Sequence, residues 1–303
     1  MDSGYETWTP GMNKEIADIT VLAANYNNGP YLRHFIESIL ASRVLPRSIL
    51  IVDDGSTDES RDILGEYIAD PMFNIVFLPN NEGFGHALNH GIERISTKYI
   101  LRADPDDLFL PERIGEQWQY LEAHPGLSGI GCNVEYFEGR ANRRILNSRF
   151  PSGKEAVDDA YRRGLHGMQH PTVLLRTEAL GSLRYRQENV PAEDYDLFAR
   201  MVAAGHRFDN LPQVLYRMRI HSGSASSNLN FSTIHKTFQL RKEIFGRSTS
   251  LIRQRAYYLH ILAYRRGLLC HHRLFRFVWF LLSALLRPSV ILKRILRVKK
   301  ITE

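Results

Sequence analysis

Between residues 18 and 103, short apolar runs alternate with amphipathic stretches, and this alternation restricts the chain to an open α/β architecture. DITVLAAN (18–25) and SILIVD (48–53) are rich in β-branched residues and end in polar ones, as strands buried on both faces do. Between them YLRHFIESILAS sets Leu32, Phe35, Ile36, Ile39 and Leu40 at helical spacing, which makes a β-α-β unit. The pattern then repeats. Ser56 to Asp58 can cap a helix over residues 59–69, FNIVFL reads as a third strand, GHALNHGIERIS as a helix and KYILRAD as a fourth strand. This succession predicts a doubly wound, mostly parallel sheet, whose ligands sit beyond the carboxyl ends of the strands. Those ends carry Asn25, Tyr26 and Asn27; Asp53, Asp54 and Gly55; and Asp104, Asp106 and Asp107.

A chain of 303 residues holds one large α/β core with a smaller appendage. We expect a catalytic domain over 1–230, with 1–17 as an N-terminal extension, and a helical region over 231–303. After residue 137 the alternation breaks, and FEGRANRRILNSRFPSGKEAVDD reads as a polar, flexible excursion. Order resumes at HPTVLLR, a strand, and at AEDYDLFARMVAAG, a helix with Leu197, Met201 and Val202 on one side and Gly205 as its stop. QVLYRMRIHSGSASS reads as a strand entering a small-residue loop. Two cysteines, Cys132 and Cys270, exclude a disulfide framework or a zinc site.

Three carboxylates within four residues, in RADPDDLFLPERI, repel one another unless a cation sits among them, and hard cations such as Mg2+ or Mn2+ prefer oxygen ligands. The competing reading is a solvated turn in which Asp107 caps a helix starting near Pro111. In VDDGSTDES, Asp53 or Asp54 can accept hydrogen bonds from a base or a ribose hydroxyl, while Ser56 or Thr57 caps the following helix. Gly83 and Gly85 open a helix whose free N–H groups favour anions; the alternative is a turn with Asn80 or Asn81 in a left-handed conformation. Glu193 and Asp194 also suit a helix N-terminus through its dipole. Arg217 and Arg219 alternate along a strand, where one can offset phosphate charge, and Gln169 and His170 are candidates for lining an acceptor pocket.

Taken in order, TVLAANYNNGPYL, ILIVDDGSTDES, NNEGFGHALNHG, ILRADPDDLFLPERI, HPTVLLR, AEDYDLFARM and YRMRIHSGSAS resemble the motif series of the family 2 glycosyltransferases of GT-A fold, over roughly residues 18–226. The resemblance implies an inverting transferase of bacterial polysaccharide or lipid-linked glycan synthesis, with a nucleotide-sugar donor, UDP-sugar favoured, and Mn2+ or Mg2+ as cofactor. It implies that Asn25, Tyr26 and Asn27 lie near the nucleotide, although Ala24 stands where the family usually has proline. Asp53 and Asp54 match the pair facing the base. Asp104 and Asp106 match the metal-binding DxD, and Asp107 its acidic follower. Glu193 and Asp194 match an ED pair whose aspartate deprotonates the acceptor hydroxyl, and His221 matches a histidine near the metal or diphosphate. A nucleotide-sugar-binding protein without catalysis is an alternative. A nucleotidyltransferase is another, disfavoured because NYNNGPYL has no basic residue before Arg33.

The net charge of +6 is unevenly placed. Residues 271–303 hold eight Lys or Arg against Glu303 alone, leaving 31 basic and 32 acidic residues in the body. In RLFRFVWFLLSALLRP the apolar run is too short to span a bilayer, but Trp279, Phe275 and the arginines suit an interfacial helix. ILKRILRVKK extends the theme. We therefore expect a cytoplasmic protein with peripheral contact at the inner membrane face through 271–300, or this segment packed on the protein or in a homo-oligomer. Nucleic acid is disfavoured by apolar residues interleaved with the basic ones, and the N-terminus lacks the pattern of a secretory signal.

Overall fold

The computed structural model describes residues 14–139, 143–221, 230–270 and 272–286. The N-terminal extension through residue 13, the SGSAS loop and the basic stretch after residue 286 lie outside the described residues.

The first half follows the expected alternation: β1 (Ile16–Asn25), α1 (Gly29–Leu40), β2 (Leu45–Asp53), α2 (Ser60–Gly65), β3 (Phe73–Phe77), α3 (Phe84–Ile92) and β4 (Tyr99–Arg102). Then come β5 (Leu108–Phe109), α4 (Arg113–Ala123), β6 (Gly129–Glu138), β7 (Arg143–Asn147), α5 (Lys154–Arg162), β8 (Leu174–Arg176), α6 (Thr177–Leu180), α7 (Glu193–Ala203) and β9 (Phe208–Ile220). The strands form one mixed sheet in the order β3-β2-β1-β4-β8-β6-β9-β5, with β7 beside β6. β3, β2, β1 and β4 run parallel, as do β6 and β9, whereas β8, β7 and β5 are antiparallel to their neighbours.

Burial explains these assignments. β1 is buried almost continuously from Ala17, and α1 turns Leu32, Phe35, Ile36 and Ile39 onto it. With Ile49, Ile51, Leu101, Ile114, Leu121, Ile130 and Tyr216 these form the core. Each fully buried aliphatic side chain contributes about 1.5–3 kcal/mol of transfer free energy.

Three local expectations are corrected. The excursion after residue 137 is largely ordered: β7 pairs with the end of β6, and α5 buries Val157, Ala160 and Tyr161. Its charged residues hid this, because they face outward on a helix with one narrow apolar stripe. HPTVLLR is a 3-10 turn over His170–Thr172 followed by a three-residue strand, since Pro171 has no N–H to give a sheet ladder. The helix expected over 59–69 spans only Ser60–Gly65, and within the expected capping segment, Ser56 to Asp58, it is Asp58 whose Oδ1 accepts from the Ser60 N–H at 3.0 Å.

The chain divides into two compact units, Met1–Ser227 and Asn228–Glu303. The second contains α8 (Phe231–Phe245), α9 (Leu251–Leu269) and α10 (Arg273–Leu286). Asn230 caps α8 by accepting from the Thr233 N–H at 3.0 Å, and Gly246 ends it with φ 67°. Ring contacts between Tyr264 and Phe280 pack α10 on α9.

Candidate active site

Parallel register sets Asn25 beside Asp53 and Leu22 beside Arg102, so β1, β2 and β4 end on one rim. At that rim Asn25 is fully buried and donates through Nδ2 to Asp53 Oδ2 at 2.9 Å and to Ser56 Oγ at 3.2 Å. Asp53 Oδ1 accepts from the Ser56 N–H and from Arg61 Nε. Asp54 accepts from the Glu82 and Gly83 N–H groups at 2.8 and 2.9 Å. Both carboxylates, 0 % and 2 % exposed, are thus engaged in holding loops of the rim. Asn27, with φ 54°, is the one described non-glycine residue at positive φ, and its Oδ1 accepts from the Thr57 N–H. The left-handed turn therefore falls here and not at Asn80 or Asn81. Tyr26 remains about half exposed at the mouth.

Gly83 does not offer its N–H to a ligand, because Asp54 already takes it. The residue is required for shape: its φ is 99°, and a Cβ there would lie 2.2 Å from Gln187 Nε2.

After β4 the chain turns through Asp104–Asp107 into β5, and β5 pairs antiparallel with β9, Leu108 opposite Arg217 and Phe109 opposite Tyr216. This register carries the end of β9 back along the turn, so residues more than a hundred positions apart meet. His221 Nε2 lies 2.9 Å from Asp106 Oδ2. Arg219 donates its N–H to Asp107 Oδ1 at 2.7 Å and Nε to the Asp106 carbonyl at 2.8 Å. The Asp104 N–H donates to Tyr216 Oη at 3.0 Å. Asp107 does not cap α4, which starts at Arg113 behind Glu112. Of the two strand arginines, Arg219 joins the cluster while Arg217 donates to Glu135 Oε1 at 2.8 Å.

Asp104, Asp106 and Asp107 each present an oxygen within 4.8 Å of the others. Burial, then the charges of Asp106 and Asp104, push Asp107 well above the usual carboxylate range. Burial also raises Asp104, with Arg102 countering it and Asp106 adding to it. Arg102 is 4 % exposed and pairs through Nη2 with Asp104 Oδ1, but its Nε and Nη1 have no partner, nor has the buried Asp107 Oδ2. A set of crowded carboxylates with one imidazole and an unsatisfied buried oxygen fits a divalent cation of the Mg2+ or Mn2+ type.

The N-terminus of α7 supplies a second acidic pair. Asp194 Oδ1 accepts from the Tyr195 N–H at 2.6 Å and lies 3.3 Å from His166 Nε2. Burial favours protonation of Asp194, but the charge of His166, its hydrogen bond and the Tyr195 N–H outweigh it, holding Asp194 well below the usual carboxylate range. His166 moves the other way: burial opposes its charge, yet Asp194 and then Glu193 raise its pKa. Burial and the Asp194 charge push Glu193 up to about 7. Asp194 is close enough to Asp104 for its charge to raise that residue too. His166 was not singled out in the sequence, where an isolated histidine carries no periodic signal. His170 is buried, lies 2.7 Å from Tyr185 Oη and has its pKa lowered to about 3 by burial and Arg102, while the half-buried Gln169 donates through Nε2 to Met218 Sδ.

A parallel β-α-β rim, an acidic turn after its fourth strand and an acidic helix N-terminus form the arrangement that the resemblance to GT-A sugar transferases implies. The profile of "Glycosyl transferase family 2" matches residues 20–184, and the chain belongs to that family and is a glycosyltransferase. It is 30% identical over 244 residues to the amylovoran biosynthesis glycosyltransferase AmsE of Erwinia amylovora, covering 79% of this chain and 91% of that protein. S. aureus TarS residues 1–349, solved with UDP-GlcNAc, superposes with a TM-score of 0.60 at 17% identity, over 82% of this chain and 72% of that one. The mannosyltransferase PcManGT of Pyrobaculum calidifontis, solved with GDP-Man and Mn2+, gives 0.58 at 15% identity, over 90% and 86%. These two likenesses show the fold.

Proposed function

We propose that the chain is an inverting glycosyltransferase that moves a sugar from a nucleotide-diphosphate donor, a UDP-sugar by preference, onto a hydroxyl of a glycan or lipid-linked glycan. The observation that carries this reading is the meeting of two acidic groups of different character: the Asp104, Asp106 and His221 cluster, and Asp194 held ionised within electrostatic reach of Asp104. AmsE acts in amylovoran biosynthesis, and TarS and PcManGT were solved with nucleotide sugars, which supports the donor class.

Asp104, Asp106 and His221 hold Mn2+ or Mg2+ in this reading. A divalent cation held there would supply positive charge to offset that of a departing diphosphate. Tyr26, exposed at the end of β1, is the flat surface for the base, and Asn25, Asn27, Asp53 and Asp54 keep that surface in place through the hydrogen bonds already described. Both hydrogen bonds to the Asp194 carboxylate fall on Oδ1. Oδ2 is therefore the oxygen that takes the acceptor proton. Inversion requires such a base on the face of the sugar opposite the leaving group. Burial and Asp194 together push Glu193 up to about 7, so it holds its proton more readily than an ordinary carboxylate.

A panel of nucleotide sugars, assayed for slow hydrolysis with Mn2+, with Mg2+ and with a chelator, tests the reading. At least one donor is expected to turn over only with metal present. Turnover of every active donor at the same rate in chelator contradicts it.

A further inference from the structure

Residues 244–302 contain no Asp or Glu and thirteen Lys or Arg. Within this stretch α10 packs on α9 through one side only. Phe280 sits over Gly267, where a Cβ would lie 2.7 Å from its ring, Ser283 Oγ lies 2.9 Å from His260 Nδ1, and Trp279 stacks under Arg266 at 5.0 Å. The opposite side exposes Phe277, Leu281, Leu274, Leu285, Val278, Leu282 and Phe275 in turn, each 42% to 69% accessible. At about 100° per residue they cover a continuous arc of roughly 160° with no polar side chain inside it. An exposed apolar face of this size needs a partner.

We infer that α10 lies in the headgroup layer of an anionic lipid bilayer, with this arc inserted and Arg273, which borders the arc at its start, on the anionic headgroups. The fourteen described residues of α10 span about 21 Å, short of a hydrocarbon core of about 30 Å, and no helix among the described residues is long and apolar enough to cross a membrane. Charge selects the occupant. A second copy docked on the same face would bring two acid-free, basic segments together, whereas an anionic surface offsets them, as interfacial helices require. Phe275 and Phe277 among the leucines also suit the boundary between acyl chains and headgroups. The inference stands apart from the transfer reading, since it concerns a surface of the C-terminal unit and not the acidic cluster.

Flotation of the full chain with vesicles tests it. The protein is expected to float with phosphatidylcholine containing about one-third phosphatidylglycerol, and to bind phosphatidylcholine alone about tenfold more weakly. Leu281→Glu with Leu285→Glu is expected to lower anionic-vesicle binding by about tenfold or more, with donor hydrolysis unchanged as proof of folding. The milder Phe277→Ser shifts it the same way. Equal flotation of wild type and both variants overturns the inference, as does equal binding to neutral and anionic vesicles. A vesicle-free dimer that the double substitution dissociates, with no flotation of the wild type, assigns the face to a second copy instead.

Discussion

Asp194→Asn is expected to lower kcat for transfer by about a thousandfold while leaving the donor dissociation constant within about twofold. The amide keeps the shape of the side chain and can still accept from the Tyr195 N–H, but it cannot take a proton from the acceptor. Its partner gives a second readout. His166 helps keep Asp194 ionised against burial. In His166→Asn that support is lost, Asp194 titrates at higher pH, and the acid limb of kcat/KM moves upward by about one pH unit or more. The sign follows from the active form: the base works deprotonated, so a raised pKa removes activity from the acid side. A structural role for His166 would lower kcat without moving the limb. Full transfer by Asp194→Asn would remove the base assignment.

Asp106→Asn is expected to reduce transfer by about a thousandfold or more and, unlike Asp194→Asn, to abolish the metal dependence of nucleotide binding. Loss of one charged ligand from a cation that offsets diphosphate charge removes several kcal/mol of stabilisation, and about 4 kcal/mol is a factor of a thousand. Asp106 is the sensitive position because its side chain meets His221 across the β5 and β9 pairing. Calorimetric titration with UDP and GDP, each with Mn2+ and with chelator, reads this directly. Nucleotide binding by the variant that still strengthens with Mn2+ would place the metal elsewhere.

The parallel half of the sheet was legible because strands buried on both faces are nearly continuous apolar runs, and Ile19 through Ala24 and Ile49 through Val52 have no other reading of similar quality. The acidic turn by itself reads equally well as a solvated turn with Asp107 as a helix cap, and it is the ordered motif resemblance that favours a metal site there. The proximity of His221 to Asp106 came from the motif resemblance, and the structure supplies its cause in strand register.

Other features depend on contacts that sequence spacing does not encode. Asp53 and Asp54 looked available to a ligand, but only the folded rim shows their oxygens on Arg61, Asn25 and the backbone of residues 56, 82 and 83. Nothing in the spacing of the sequence singles out Arg113. It is fully buried between Phe109 and Tyr216 and donates to the Arg102 and Pro171 carbonyls, which braces the strand end beneath the acidic turn. α5 was hidden by its charges, and with it His166, which follows that helix and reaches Asp194 28 residues away.

The central claim is direct displacement of a nucleoside diphosphate with Asp194 as base, and the anomeric configuration of the product tests it most directly. With an α-linked nucleotide sugar, an acceptor that the enzyme uses, and Mn2+ present, NMR of the isolated product is expected to show a β linkage. An α linkage, formed with retention, would contradict the account.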